Sequence, residues 1–194
     1  MNRKSIFLMI GVGLACGALT VLGQGALPGS WNHFANSGAV WLVAAFVVGA
    51  LMRSTTWAMV GGFLSLVLAL LSYTIVAAVL GYTYRFSAIA LWSSVALVGG
   101  PVFGLSGYWW RHAANSWRTA IGSALMGGVF IAEGWYELVK IQDKPAGWVS
   151  ILIGIIMVIF LPRSWKDRRR SFAVLLPTVL LGIGAYALLA LLTS

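Results

Sequence analysis

Long apolar stretches separated by short connections make up most of this chain. An α-helix needs about 20 apolar residues to cross the hydrocarbon core of a bilayer. With 60% hydrophobic and 9% charged residues, a soluble domain of 194 residues would have too little polar surface to cover its exterior. We therefore predict an all-α, polytopic transmembrane helix bundle that forms one integral membrane domain over residues 1–194. The seven predicted spans, or six if the short sixth segment does not cross, are 5–23, 35–52, 57–83, 87–110, 117–140, 146–162 and 171–193.

The basic residues predict the orientation of this bundle. Seven spans put the two termini on opposite sides, and Lys and Arg concentrate on the cytoplasmic side. Of the 13 basic residues, Arg85, Lys140 and Lys144 fall on one side and all the others on the opposite side. We expect a cytoplasmic N-terminus and an external C-terminus. Because the basic residues lie between apolar segments, the net charge of +9 indicates topology, and we expect no binding of nucleic acid.

The first residues resemble the start of a secretory signal peptide, with Arg3 and Lys4 preceding an apolar run. The apolar run continues to Leu22, and Gly13 lies where a lipoprotein cleavage site needs an apolar residue. We predict an uncleaved first helix.

Two carboxylates, Glu133 and Glu137, lie inside the predicted fifth span and share one helical face with Lys140. If Lys140 marks the membrane edge, Glu133 lies ~10 Å inside it. An ionised carboxylate there costs roughly 2–3 kcal/mol unless it is paired, hydrated or protonated. We expect Glu133 to pair with Arg85 or His33 as a tie between helices, to hold a substrate cation, or to exchange a proton. Glu137 is expected to be solvated or paired with Lys140.

Aromatic residues provide walls for a candidate binding pocket. Trp41, Trp92 and Trp135 lie roughly 8 Å inside the predicted outer boundary, close to the depth of Glu133. A carboxylate among indole rings suits an organic cation, through charge pairing and cation–π contact. Alternatively, the rings face lipid or neighbouring helices, as interfacial aromatics do. The candidate substrate-binding residues are Glu133, Trp41, Trp92, Trp135, Glu137, Asn36, His33 and Tyr82.

The first outer connection, residues 23–34, has two interpretations. It forms either an anchored loop, with Asn32 or Ser37 capping the second helix, or a partly re-entrant lid over an outward-facing cavity. The stretch Leu27-Pro-Gly-Ser-Trp-Asn-His-Phe-Ala-Asn-Ser-Gly-Ala-Val-Trp41 resembles an uncharacterised family of small multi-pass bacterial membrane proteins. The resemblance implies a bacterial cell membrane and implies no particular activity.

Glycine and proline are concentrated in the third and fourth predicted spans. Removing side-chain bulk lets helices pack closely, as we expect for Gly13-x-x-x-Gly17 in the first span and Gly182-x-Gly184 in the last. The alternative is a discontinuous fourth helix that lines a substrate path. The residues concerned are Gly61-Gly62, Gly99-Gly-Pro101, Gly104 and Gly107.

Catalytic and metal sites are not predicted. Gly104-Leu-Ser-Gly107 resembles the nucleophile motif of rhomboid proteases, but a serine nucleophile needs a base within hydrogen-bond reach. His112 lies at the predicted cytoplasmic boundary and His33 outside. Together with Cys16, these residues cannot converge on one ion in this topology. We expect no enzyme activity, no metal and no cofactor.

The short basic loop 163–170 predicts contact with anionic lipid. We expect a bilayer protein that binds or transports a small organic, cationic solute through an outward-facing pocket. The alternative is a non-transporting accessory or sensor subunit that packs against another membrane protein. In size and hydropathy the chain is similar to the vitamin-capturing S-components of energy-coupling transporters, although its first helix lacks their Ala-x-x-x-Ala.

Overall fold

Helices form nearly all of the described chain. The computed structural model describes residues 3–82 and 86–193, and within them there is no β-strand. A 3₁₀ turn (Gly29–Trp31) and a single helical turn (Asn32–Ala35) precede the second long helix, and a π-helical turn (Glu137–Ile141) follows the fifth. The prediction of an all-α helix bundle is confirmed. The seven long helices are α1 (Arg3–Ala26), α2 (Gly38–Leu51), α3 (Thr55–Val79), α4 (Phe86–His112), α5 (Ser116–Tyr136), α6 (Lys144–Phe160) and α7 (Trp165–Thr193).

Several of these helices are long and apolar enough to cross a bilayer. α6 is also apolar but has 17 residues, or ~26 Å at 1.5 Å per residue. α5 is buried along most of its length by other helices, so it can carry serines, glycines and carboxylates that lipid would disfavour. The chain is therefore a membrane protein. The five stretches that meet the length and hydropathy of a span are Arg3–Ala26, Gly29–Leu51, Thr55–Val79, Ala88–His112 and Trp165–Leu191.

Successive helices run in opposite directions. α5 and α7 are parallel, because Ser171 donates to the Ala120 carbonyl near the start of both helices and Tyr186 donates to Glu133 near their ends. The start of α1 and the end of α7 therefore lie at opposite ends of the bundle. We name one end the basic end; it contains the start of α1 and the connections 52–54, 113–115 and 161–164. The other is the carboxylate end; it contains the connections 27–37 and 137–143.

α2 is the most enclosed of the long helices, and α4 crosses it closely. Trp41 of α2 is 2% exposed. The backbone of α4 lies against Ala58 of α3 at Gly104, and against Phe46 of α2 at Gly107. α4 remains helical through Pro101. The glycines therefore allow close packing, as the first interpretation proposed, and α4 is not discontinuous.

Glycines in the outer helices divide into two groups. Gly17 of α1 lies against Ala69 of α3, and a Cβ on Gly182 of α7 would be 2.6 Å from Ala132 of α5. Gly184 and Gly11, by contrast, have no atom within 4 Å of the position of an added Cβ. The predicted close contact at Gly184 is wrong, because that residue lies on the outer surface of α7.

Replacement of Gly104 by alanine should destabilise the bundle. A methyl group there would overlap the Ala58 carbonyl, and such overpacking costs about 1–3 kcal/mol. Gly11→Ala is the matched control; it adds the same methyl group in open space and should leave stability unchanged or raise it by up to about 1 kcal/mol. Thermal unfolding of both variants in one detergent measures the difference, and equal melting temperatures would contradict the close contact.

Candidate functional site

The carboxylate of Glu133, on α5, lies against the beginning of α2. Its side chain is 5% exposed. One oxygen accepts hydrogen bonds from the backbone N–H groups of Gly38 at 2.8 Å and Ala39 at 3.3 Å, and from the Tyr186 hydroxyl at 2.7 Å. The other oxygen accepts a hydrogen bond from the Ser37 hydroxyl. Three helices, α2, α5 and α7, therefore meet at this carboxylate.

These four donors offset part of the cost of burying the charge. A hydrogen bond to a charged group contributes about 1.5–3 kcal/mol, whereas a carboxylate at the centre of a span costs about 2.5–3.5 kcal/mol on insertion scales. The positive end of the α2 dipole adds a further favourable interaction. The geometry is that of a structural tie between helices, made by hydroxyl and backbone donors.

Ser37 decides where α2 begins. Its hydroxyl oxygen accepts a hydrogen bond from the Val40 N–H at 3.0 Å, and its carbonyl accepts one from Trp41 at 3.3 Å. Together with the two N–H groups bonded to Glu133, this pairs the whole first turn of α2, which otherwise lacks acceptors. Of the two residues predicted to cap this helix, Ser37 is confirmed.

Glu137 lies one turn beyond Glu133, at the start of the π-helical turn Glu137–Ile141. Its side chain is 3% exposed, and the Ser150 hydroxyl of α6 donates to its carboxylate at 2.9 Å. The expectation that Glu137 is solvated or paired with Lys140 is wrong, because its side chain points into the contact between α5 and α6, where Ser150 lies.

Neither carboxylate has a basic neighbour in the part of the chain that the structure describes. Among the described residues, one ion pair is shorter than 4.0 Å: His33 Nε2 lies 3.0 Å from Asp143 Oδ2. The expected pairing of Glu133 with His33 is therefore wrong, and Arg85, the other expected partner, lies outside the described residues. Since Glu133 has four hydrogen-bond donors and Glu137 has one, Glu137 is the less compensated of the two carboxylates.

Two tryptophans predicted for the site lie together. Trp41 and Trp92 stack with their ring centroids 4.7 Å apart, and the Trp41 indole N–H donates to Thr20 of α1 at 3.0 Å. Trp92 also approaches Gly38, one of the residues bonded to Glu133. Trp41, Trp92 and Glu133 thus lie close together, but as a packed cluster around the beginning of α2. The two depressions seen at this end of the described chain are lined by other residues, so the predicted pocket with indole walls is not among them.

Two tyrosines complete this cluster on the α7 side. Tyr136 stacks on Tyr186 with a centroid distance of 5.4 Å, and Tyr186 donates to Glu133. The predicted candidate residues omitted the donors Ser37, Tyr186 and Ser150, because no spacing in the sequence links them to the carboxylates. Their hydroxyl groups in otherwise apolar segments were the signal that they needed polar partners.

Other predicted site residues lie elsewhere. Trp135 is 51% exposed and faces the outside of the bundle, away from the cluster. Tyr82 is 48% exposed and lies near Gly25 at the end of α1. Asn36 accepts a hydrogen bond from Gln24 at 2.5 Å and belongs to the connection between α1 and α2. The structure does not bring these three side chains to the carboxylates.

The connection 27–37 is anchored to its neighbours. Asn32 donates to the carbonyls of Gln24 at 2.7 Å and Leu27 at 3.1 Å, which folds the chain back onto α1. His33 holds the other side of the connection to Asp143. Between the two connections opens a depression of about 540 Å³, lined by Ser30, His33, Ile141, Gln142, Asp143, Lys144 and Pro145.

Asp143 is the acidic group of this depression. Desolvation raises its pKa, but hydrogen bonds from Ser30, the Ala146 N–H and His33, with the attraction of His33, hold the pKa below its ordinary value. Asp143 also caps α6 through the Ala146 N–H at 3.2 Å. The depression therefore keeps a negative charge beside its histidine.

The remaining candidates for chemistry have packing roles. Ser106 is fully buried and donates to the Gly122 carbonyl at 3.0 Å, and a ring nitrogen of His112 lies 3.0 Å from the Ala50 carbonyl oxygen. In the described residues, no three His, Cys, Asp or Glu side chains are grouped so that they could hold a metal ion.

Glu133→Gln should lower stability. An amide presents an N–H group to at least one of the donors and loses the charge, a loss of about 1.5–3 kcal/mol. That corresponds to a fall in melting temperature of roughly 3–10 °C for a chain of this size. Thermal unfolding in detergent measures it, with Ser37→Ala as a comparison that removes one donor and one cap, about 1 kcal/mol. An unchanged melting temperature for Glu133→Gln would disprove the tie.

Comparison with known proteins agrees with the resemblance seen in the sequence. No curated protein and no solved structure matches the chain. A family of unknown function, DUF6518, matches residues 2–192, which includes the stretch from Leu27 to Trp41. The chain therefore belongs to this family of unknown function.

Proposed function

We propose that this protein binds and transports a small organic cation, with Glu137 and Glu133 as the counter-charges. The proposal rests on Glu137, a buried carboxylate with one hydroxyl donor and, within the described chain, no basic side chain within 4.0 Å. Carboxylates inside a membrane are costly, and where they occur they mark ion, proton or substrate paths. A cationic solute would supply the positive charge that the described surroundings of Glu137 lack.

The chemistry around the carboxylates favours an organic cation over a metal ion. Tyr136 and Tyr186 stack beside Glu133, and aromatic faces attract cations within about 6 Å of the ring centroid. A hard metal ion would instead need several oxygen ligands. The described residues contain no group of three metal-ligating side chains.

The depression at the carboxylate end supplies an entrance. The Asp143 N–H donates to the Glu137 carbonyl at 3.1 Å, so the wall of the depression is joined to the turn that carries Glu137. The Asp143 carboxylate attracts cations towards this surface. With the basic end in the cytoplasm of a bacterial cell, as the distribution of Lys and Arg favours, the carboxylate end faces outside and solute enters from there.

In this proposal the structure is the closed form. The beginning of α2 and the hydroxyls of Ser37 and Tyr186 occupy Glu133, so a cation reaches Glu133 only when α2 and α5 separate there. A π-helical turn such as Glu137–Ile141 is frequent at functional sites and provides a place where α5 can change its hydrogen bonding.

Glu137→Gln should abolish transport and preserve the fold. Tetraethylammonium and choline serve as probe cations for uptake into proteoliposomes containing the purified protein. Removal of the counter-charge should reduce uptake at least about tenfold, because roughly 1.4 kcal/mol of lost interaction already changes an equilibrium tenfold. The melting temperature should change less than for Glu133→Gln, since Glu137 has a single donor.

Glu137→Asp, which keeps the charge, is the matched control and should retain measurable uptake. Uptake by the Glu137→Gln variant equal to that of the unaltered protein would remove Glu137 from the proposal. If the unaltered protein takes up neither probe and co-purifies with a stoichiometric membrane protein, the accessory-subunit alternative replaces transport.

A further inference from the structure

Arginine side chains lie over indole rings at the basic end. They come from the start of α5, the connection between α6 and α7, and the start of α7. The distances from the guanidinium carbon to the ring centroid are 5.9 Å for Arg118 over Trp109, 5.3 Å for Arg163 over Trp110, 5.2 Å for Arg168 over Trp165, and 4.7 Å for Arg170 over Trp117. A guanidinium group over an indole ring is held there by cation–π attraction.

Little negative charge faces these arginines. The acidic side chain at this end of the described chain is Asp167, whose carboxylate accepts hydrogen bonds from the hydroxyls of Ser116 and, at 2.7 Å, Ser164. Within the described chain, no basic side chain lies within 4.0 Å of Asp167, and Arg170 attracts this carboxylate from a greater distance. The buried Nε of Arg168 has no hydrogen-bond partner. Positive charge at the basic end is therefore largely uncompensated.

The four arginines are not equivalent. Arg163 donates to the Arg111 carbonyl at 2.8 Å, so its side chain caps the C-terminal end of α4. Arg118 and Arg170, in contrast, lie close to each other at the start of α5. Arg118 is the residue after Trp117, and the Arg170 side chain lies over the Trp117 ring. The Ser171 hydroxyl, bonded to Ala120 at 3.2 Å, holds the start of α7 against α5. Two guanidinium groups thus flank the start of α5.

We propose that Arg118 and Arg170, with Trp109 and Trp117, form a binding site for the phosphate of an anionic phospholipid. Guanidinium groups match phosphate oxygens in pairs of hydrogen bonds. The membrane is the source of the phosphate because Trp117 is 46% exposed at the start of α5, which packs against the spans of α4 and α7. Indole rings at the ends of a membrane bundle lie at the level of the lipid headgroups. The site is separate from the carboxylates and does not depend on transport.

The test uses the full chain in a nonionic detergent, titrated with short-chain phosphatidylglycerol or with phosphatidylcholine of the same acyl length. Native mass spectrometry counts the bound lipids and gives their dissociation constants. We expect phosphatidylglycerol to bind at least about tenfold more tightly than phosphatidylcholine. The Arg118→Gln/Arg170→Gln double variant should lose this preference, because glutamine lacks both the charge and the paired N–H groups that bind phosphate oxygens.

The matched control is Lys166→Gln/Arg169→Gln, which removes the same charge from exposed residues of the same surface. The structure records no indole contact for either residue. Its phosphatidylglycerol affinity should remain within about threefold of the unaltered protein. An equal loss in both double variants would overturn the site, because net charge alone would then explain binding. Competition by inorganic phosphate at the concentration at which the lipid binds would overturn the membrane as the source.

Melting temperatures without added lipid report whether each variant is folded. If Arg118→Gln/Arg170→Gln is unfolded, Arg118→Lys/Arg170→Lys replaces it. That variant keeps both charges and loses the planar groups that stack and bind in pairs, so its affinity should fall about three- to tenfold. Full retention of affinity by the lysine variant would overturn the role of the guanidinium–indole pairs.

Discussion

The backbone N–H groups at the beginning of α2 need acceptors in a place where the bilayer offers no water. A helix leaves its first N–H groups without partners, and each such group costs several kcal/mol in an apolar environment. Glu133 and Ser37 supply the acceptors for all of them. Because this carboxylate belongs to α5 and also binds Tyr186 of α7, one interaction determines where α2 begins and joins it to the second half of the bundle.

The position at which α2 begins also determines the shape of the connection 27–37 that precedes it. α2 has 14 residues, or ~21 Å, which is shorter than the roughly 30 Å hydrocarbon core. The turns Gly29–Trp31 and Asn32–Ala35 continue the chain from the end of α1 to this early start, with Asn32 bonded back to Gln24 and Leu27. The carboxylate end therefore contains ordered polar structure next to the buried carboxylates, and the proposed solute would approach them from this end.

The two ends of the bundle differ in their electrostatics. At the carboxylate end, two buried acidic groups one turn apart have hydroxyl and backbone donors as their partners. At the basic end, guanidinium groups stacked on indoles face little negative charge. In the part of the chain that the structure describes, neither the buried carboxylates nor the stacked arginines have an opposite charge within 4.0 Å, so a ligand of opposite sign could supply it at each end. This is why an organic cation is proposed at one end and a lipid phosphate at the other.

Composition and the spacing of apolar stretches determined the fold class, and the hydrophobic requirement of a bilayer is strong enough that seven predicted spans correspond to seven long helices. The sequence also singled out Glu133, since a carboxylate in an apolar segment needs a partner. Its partners could not be predicted, because Ser37, Glu133 and Tyr186 are far apart in the chain and meet only when three helices pack.

Tertiary structure likewise decided which side of each helix faces the core of the bundle. Trp41 and Trp135 have similar predicted depths, yet one is buried at 2% exposure and the other is 51% exposed. The π-helical turn at Glu137 left no signal in the local pattern. Sequence by itself therefore determined that the chain crosses a membrane and which charges are unusual there. Packing decided which neighbours those charges have, because close contact between helices depends on the shapes of all of them together.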